Sequence, residues 1–228
     1  MKKYLIDIHC HTSEVSNCGQ TPAAETVQLY YSMGYKAVMI TDHFKSNLLE
    51  DNPDASWDEK IDHFVTGYKN ALAEAEKLGD FKVYLGAELR FDENNNDYLL
   101  FGLSEDKLRK MEKLPLMSVS EGVEFVHSLD CAIIQAHPFR NGCTIIEPGI
   151  LDGVEVFNGH KGHDSRNDIA LKWAKKFGYI MTSGTDFHGE HDPTSGIYVD
   201  NIPENEDELR DLILSGNYDI KHNGKLDL

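Results

Sequence analysis

What this chain lacks narrows its class before any motif is found. It has no charge-free apolar run near the roughly 18 residues a membrane helix needs, and Met1–Cys10 carries neither the apolar core nor the cleavage site of a signal peptide. A soluble, cytoplasmic protein without membrane contact is expected. Cysteine is scarce: Cys10, Cys18, Cys131 and Cys143 include no C-x-x-C pair, and four thiols in 228 residues do not suggest a disulfide scaffold. Reduced thiols are the simplest state. Basic side chains are outnumbered, 22 against 39 acidic, for a formal charge of −17. That balance opposes broad binding to a nucleic-acid backbone or an anionic lipid surface. Solubility alone also explains such acidity, and bound divalent cations would offset part of it. There is no G-x-S-x-G, no G-x-x-x-x-G-K-[ST] and no G-x-G-x-x-G, so serine-esterase, P-loop and dinucleotide readings have no support.

What is present is an alternation of short β-branched runs with longer stretches of helical period, the signature of repeated βα units. The length and the 40% hydrophobic content suit one α/β domain spanning residues 1–228, without internal repeat or linker. Strands are expected at Tyr4–Ile8, Ala37–Ile40, Lys82–Glu88, Tyr98–Leu103, Cys131–Gln135, Gly153–Val156, Tyr179–Thr182 and Ile197–Val199, parallel to one another. The expected helices are Thr21–Met33, with Thr21 as N-cap, Asp58–Leu78 with a Ser56/Glu59 capping box, Ser120–Leu129, Asp164–Phe177 and Glu206–Leu214. Phe44–Trp57 and Asp92–Asp97 are polar loops. In a parallel barrel the first would sit over the active face or form an ordinary solvated connection.

The strand ends carry the chemistry. Alternate residues of a strand face the same way, so His9 and His11 project together while Cys10 turns away. An H-x-H of this kind offers two nitrogen ligands from one rigid element, although a lone pair of histidines also serves as satisfied polar groups. The pattern recurs. The second strand runs into Asp42-His43, the third ends in Glu88, a later one leads into His137-Pro138, and another into Asp186-Phe187-His188. Five of the eight expected strands thus deliver His, Glu or Asp at the carboxyl end, where the catalytic face of an α/β barrel lies. His63, His127 and His222 fall in or near helices or at the tail and read as surface or satisfied polar residues.

These motifs resemble, in order, those of the PHP family, named for polymerase and histidinol phosphatase: H-x-H, D-H, a strand-end Glu, A-H-P and D-x-H, from Asp7 to Gly189. The resemblance implies a distorted (β/α)7 TIM-like barrel of PHP type, two or three divalent metal ions (zinc, manganese or iron) and phosphoesterase activity, histidinol-phosphatase-like, through a metal-bound hydroxide. It places His9, His11, Glu88 and Asp186 on a first metal, Glu88 and His137 on a second, and His43 and His188 on a third. Two family positions depart. Members often carry an Asp or His soon after H-x-H, where this chain offers Glu14. Many also carry a His on the strand after the Glu, where the nearest replacement is Asp97.

Arg140, three residues beyond His137, is placed to grip a phosphate, with Arg166 and Arg90 as further candidates. His160 and His163, in a glycine-containing stretch after a strand, would contact substrate or pass a proton to the leaving group, or belong to a flexible turn. The expected partner is a small phosphorylated substrate, with no extensive nucleic-acid binding. An amidohydrolase and a non-catalytic metal-binding PHP module are the competing readings. Arg140 favours the phosphoesterase over the first of them, and the intact ligand set favours it over the second.

Overall fold

The computed structural model describes residues 3–50, 53–189 and 191–222; residues 51 and 52 of the expected Phe44–Trp57 loop lie outside it. In chain order the elements are β1 (Tyr4–Cys10), α1 (Ala23–Ser32), β2 (Ala37–Ile40), β3 (His43–Phe44), α2 (Asn47–Glu50), α3 (Trp57–Phe64), α4 (Thr66–Leu78), β4 (Lys82–Leu85), β5 (Ala87–Leu89) and β6 (Tyr98–Phe101). They continue with α5 (Glu105–Leu108), α6 (Val119–Ser128), β7 (Ala132–Gln135), β8 (Gly153–Asn158), α7 (Asn167–Phe177), β9 (Ile180–Gly184), β10 (Gly196–Val199), α8 (Glu206–Ser215) and β11 (Asp219–Lys221). The α/β class expected from the alternating pattern holds.

The strands form two sheets, β11-β10-β1-β2-β4 and β3-β5-β6-β7-β8-β9. They adjoin where the chain passes from one to the other: β2 runs on to β3, and β4 to β5 across Gly86. At the far side Asp186 N donates to His9 O and His11 N donates to Phe187 O, bringing the end of β9 beside the end of β1. The carboxyl ends of β1, β3, β5, β7 and β9 therefore meet around one region. Not all strands are parallel. β6 runs antiparallel to β5 and β7, and β10 antiparallel to β1 and β11. The β5–β6 connection is a short polar loop, enough for an antiparallel return but too short for a crossover helix.

One apolar cluster, including Ile6, Ile8, Met39, Tyr84, Leu99 and Ile134, fills the space between the sheets beneath the site. Others seat the helices, with Val27 and Tyr30 of α1 and Ala71 of α4 against Leu5, Val38 and Val83. The Ser56/Glu59 capping box forms as expected. The expected helix Asp58–Leu78 is broken at Val65, whose φ of −84° and ψ of 6° lie off the helical values. The second half starts with Gly67 pressed onto the site: a Cβ there would lie 2.2 Å from Thr12 Oγ1 and 2.8 Å from Asp42 Oδ2.

Thr21 does not cap α1. Pro22 occupies that place without a side-chain hydrogen bond, and both Glu14 oxygens accept from Ala23 N at 3.0 Å. Since a helix start leaves amides unpaired and carries partial positive charge, a carboxylate from outside the helix satisfies it. Gly67→Ala is expected to destabilise the protein by about 1–3 kcal/mol, the usual cost of overpacking. Denaturant titration checks this, and an unchanged midpoint would show that α4 can retreat from Thr12.

Candidate metal centre

Seven of the side chains singled out from sequence come together. His9, His11, Glu88, His137 and Asp186 are buried, and His43 and His188 sit at the mouth. Glu88 lies in the middle. Its Oε1 is 3.3 Å from His9 Nε2 and 3.1 Å from His137 Nε2, and its Oε2 is 2.8 Å from His43 Nδ1 and 3.3 Å from His11 Nε2. Asp186 Oδ1 is 3.3 Å from His9 Nε2 and 3.2 Å from His11 Nε2. Ligand atoms within 4.8 Å of one another occur in four overlapping groups: His9–His11–Asp186, His9–Glu88–His137, His11–His43–His188 and His43–Glu88–Asp97.

Local structure aims these groups. The β1–β2 register shifts between Asp7 and Cys10, and Cys10 turns into the apolar layer under α1, leaving His9 and His11 on the site side. His9 fits because residue 184 is glycine, where a Cβ would lie 2.3 Å from His9 Cβ. His137 and Asp186 have φ of 43° and 51°, a left-handed conformation that costs a non-glycine residue about 1–3 kcal/mol. Each follows a strand end, and the turn points its side chain into the site, His137 at Glu88 and Asp186 at His9 and His11.

A buried layer behind these residues holds their rings. Glu155 Oε1 is 3.0 Å from His9 Nδ1, while Oε2 accepts from His137 N and Asn158 Nδ2. Asn158 Nδ2 also donates to Asp186 Oδ2 at 3.1 Å. His11 Nδ1 is 3.3 Å from Ser16 Oγ, which donates to Asp42 Oδ1 at 2.7 Å. Asp7 accepts from Tyr30 and Thr185 under the same strands. With Nδ1 of His9 and His11 engaged, each Nε2 faces the carboxylates, which is how metal-ligating histidines are oriented. The donor set, buried nitrogen and oxygen ligands with an outer shell, fits divalent zinc, manganese or iron.

None of Glu155, Asn158 and Asp7 was singled out as a site residue from sequence, and Asp42 entered only as part of the D-H motif, although a charged residue inside the apolar runs Ile6-Asp7-Ile8 and Val154-Glu155-Val156 was a readable signal. Cys18 was missed as well. It lines the mouth beside His43. Burial opposes its thiolate, yet hydrogen bonds with His188 and His43 bring the thiol down to about 6.

Other expected residues do different work. Glu14 is absent from the ligand groups and accepts instead from Ala23 N and from Asn70 Nδ2 at 3.1 Å. Arg90 and Arg140 both bind Asp97. Arg166 donates to Phe139 O and Asn141 Oδ1, tying two loops together instead of facing the centre. His160 stacks on His163 at 4.6 Å and meets His188 edge-on at 5.0 Å, while His163 meets His137 at 5.7 Å. Burial holds His163 down to about 4, so near neutral pH it is an uncharged imidazole and not an acid.

The carboxylates tune the histidines. Burial opposes charge on His43 and His137, but Glu88 raises His43 to about 9 and, with a Cys143 hydrogen bond, His137 to about 10. His9 is likewise raised by Asp186, Glu155 and Glu88 against burial, whereas burial and the neighbouring His43 push His11 down to about 3. In the metal-free protein at pH 7, His43 and His137 therefore hold protons that an incoming cation must displace.

Metal affinity should accordingly rise with pH between 6 and 8, by up to roughly tenfold per unit for each displaced proton. Calorimetric titration in buffers of different ionisation enthalpy reads that proton release, and a pH-independent affinity would contradict it. Glu14→Ala should lower stability by about 1 kcal/mol, as for a lost cap, and leave the bound-metal content unchanged; a lower content would return Glu14 to the ligand set.

Comparison with known proteins agrees with this geometry. The sequence is 27% identical over 237 residues to the DNA polymerase III subunit alpha of Aquifex aeolicus, covering 97% of this chain but 18% of that protein. A two-domain protein from Bacteroides vulgatus, described as containing a predicted PHP-like metal-dependent phosphoesterase, superimposes with a TM-score of 0.67 at 18% identity, over 95% of this chain and 64% of that one. The lesion-specific endonuclease EndoQ of Pyrococcus furiosus does so with a TM-score of 0.59 at 16% identity, over 96% and 58%. The chain thus spans less than two thirds of these relatives. A DNA polymerase subunit and a lesion-specific endonuclease among them overturn the expectation of a small phosphorylated partner without extensive nucleic-acid binding. That expectation averaged charge over the whole chain, whereas binding depends on the field at the site. Among the described residues no helix is long and apolar enough to cross a membrane. The PHP domain family matches residues 7–216, and the chain belongs to it.

Proposed function

We propose that this chain is a metal-dependent phosphoesterase that hydrolyses phosphodiester bonds in nucleic acid. The observation carrying this reading is the convergence of His9, His11, His43, Glu88, His137, Asp186 and His188 around one carboxylate, with Arg90, Arg140 and Lys45 beside it. When bound, the cations would supply a nucleophile at neutral pH and neutralise charge on the phosphate.

The chain's own residues do the rest. Glu155 and Ser16 fix the His9 and His11 rings, and Glu88 holds the ligand groups at a common centre. Arg90 and Arg140 are 31% and 26% exposed at their side chains, so they remain within reach of solvent. Two guanidiniums against one Asp97 leave net positive charge there, which favours a phosphate in an otherwise acidic protein. His163, kept neutral by burial, would offer a hydrogen bond near the leaving group. A cavity of about 870 Å³ opens beside His43 and Cys18, lined also by Lys45, Asn47, Lys60 and His63, and has room for a nucleotide flanking the scissile bond. The local cations suit a short stretch of strand, because binding depends on the field at the site.

The test is hydrolysis of labelled single-stranded DNA and RNA by protein loaded with manganese or zinc, beside phosphomonoesters. Cleavage should be found and should fall by at least about 100-fold in Asp186→Asn and His9→Ala, as for loss of a group acting in the transition state. Turnover of monoesters alone, or turnover surviving both substitutions, would refute the proposal.

A further inference from the structure

Asp97 lies beside the candidate ligands, and its position suggests a metal ligand: an oxygen of it falls within 4.8 Å of ligand atoms of His43 and Glu88. Its hydrogen bonds suggest otherwise. The residue is fully buried. Arg90 Nε donates to Oδ1 at 2.7 Å and Arg90 Nη2 to Oδ2 at 2.7 Å, a bidentate fork. Arg140 Nη2, arriving from the loop after β7, donates to the same Oδ2 at 2.7 Å.

We infer that Asp97 is a positioning residue and not a metal ligand: it aligns Arg90 and Arg140 into one cationic clamp that binds the substrate's phosphate beside the metal centre. The inference rests on the phosphoesterase reading above and assigns the group that organises phosphate binding. Each carboxylate oxygen offers about two acceptor directions. Oδ2, which is 3.9 Å from His137 Nε2, spends both on guanidinium N–H groups. Oδ1 holds the Arg90 Nε bond of the same fork, and a divalent ion on either oxygen would stand next to two fixed positive charges in a buried setting, where like-charge repulsion is poorly screened.

The clamp joins two loops. Arg90 follows β5, Asp97 precedes β6, and Arg140 lies three residues beyond His137. One carboxylate therefore holds both arginines in register with the strand ends that carry Glu88 and His137. Arginine keeps further N–H donors after a bidentate contact, so each guanidinium can serve Asp97 and a phosphate oxygen together. Replacing Asp97 should loosen both arginines without removing a cation.

Three measurements decide this: metal content of manganese-loaded protein by mass spectrometry, affinity of that protein for inorganic phosphate by calorimetry, and KM for bis(p-nitrophenyl) phosphate. In Asp97→Asn we expect unchanged metal content, phosphate affinity weakened about tenfold, and KM raised more than kcat is lowered, as for lost ground-state binding. Loss of a metal equivalent in Asp97→Asn would overturn the inference, as would wild-type phosphate affinity in that variant. Should Asp97→Asn fail to fold, Arg140→Gln keeps the Arg90–Asp97 fork; weakened phosphate binding with unchanged metal content is expected, and unchanged phosphate binding would again overturn it. Since metal content and phosphate affinity need no turnover, a failure of the hydrolysis reading stays distinguishable from a failure of the clamp.

Discussion

Glu88 is the constraint on which the centre depends. A single buried carboxylate stands within 3.3 Å of ring nitrogens from His9, His11, His43 and His137, which arrive on three other strand ends. Removed from water, neither the carboxylate nor so many imidazoles would be tolerable alone. Together they satisfy one another, and the cost of their burial falls on a fold that must hold them at fixed spacing. The attraction is visible in the acid–base behaviour: burial works against its charge, yet the histidines keep Glu88 well below the usual carboxylate range while it draws protons onto His43 and His137.

The surrounding structure is arranged to meet that demand. Two ligand candidates, His137 and Asp186, adopt backbone conformations unfavourable to their side chains, and strain of this kind persists only where packing over-determines it. Glu155 and Asn158 supply part of that determination, because they bond to His9, the His137 amide and Asp186 at once. Close approach supplies another part, through glycines at 67 and 184 where a methyl group would collide with Thr12 or His9. The apolar layer beneath, from Ile6 to Ile134, keeps the strand ends in position while the mouth remains polar.

Charge in this protein has to be judged by place. The formal −17 describes a mostly acidic surface, yet Arg90, Arg140 and Lys45 gather at the centre, and the carboxylates there are matched by histidines. An average over the chain was therefore a poor guide to what approaches the site.

The ligand positions were legible in the sequence because strand periodicity is strict: His9-Cys10-His11 must put two rings on one face, and an apolar run ending in His or Glu must place that group at a sheet end. The capping box at Ser56 was legible for the same local reason. What only the tertiary structure decided involves partners carried on different elements. Glu14 looked like a ligand because it follows the H-x-H closely, but an unpaired helix amide at Ala23 claims it. Arg140 looked like an unattached phosphate grip until a buried Asp97, brought across by an antiparallel hairpin, was found to share it with Arg90. Local sequence carries the direction of a side chain, while the competition among neighbours for its charge and hydrogen bonds exists only once the chain has folded.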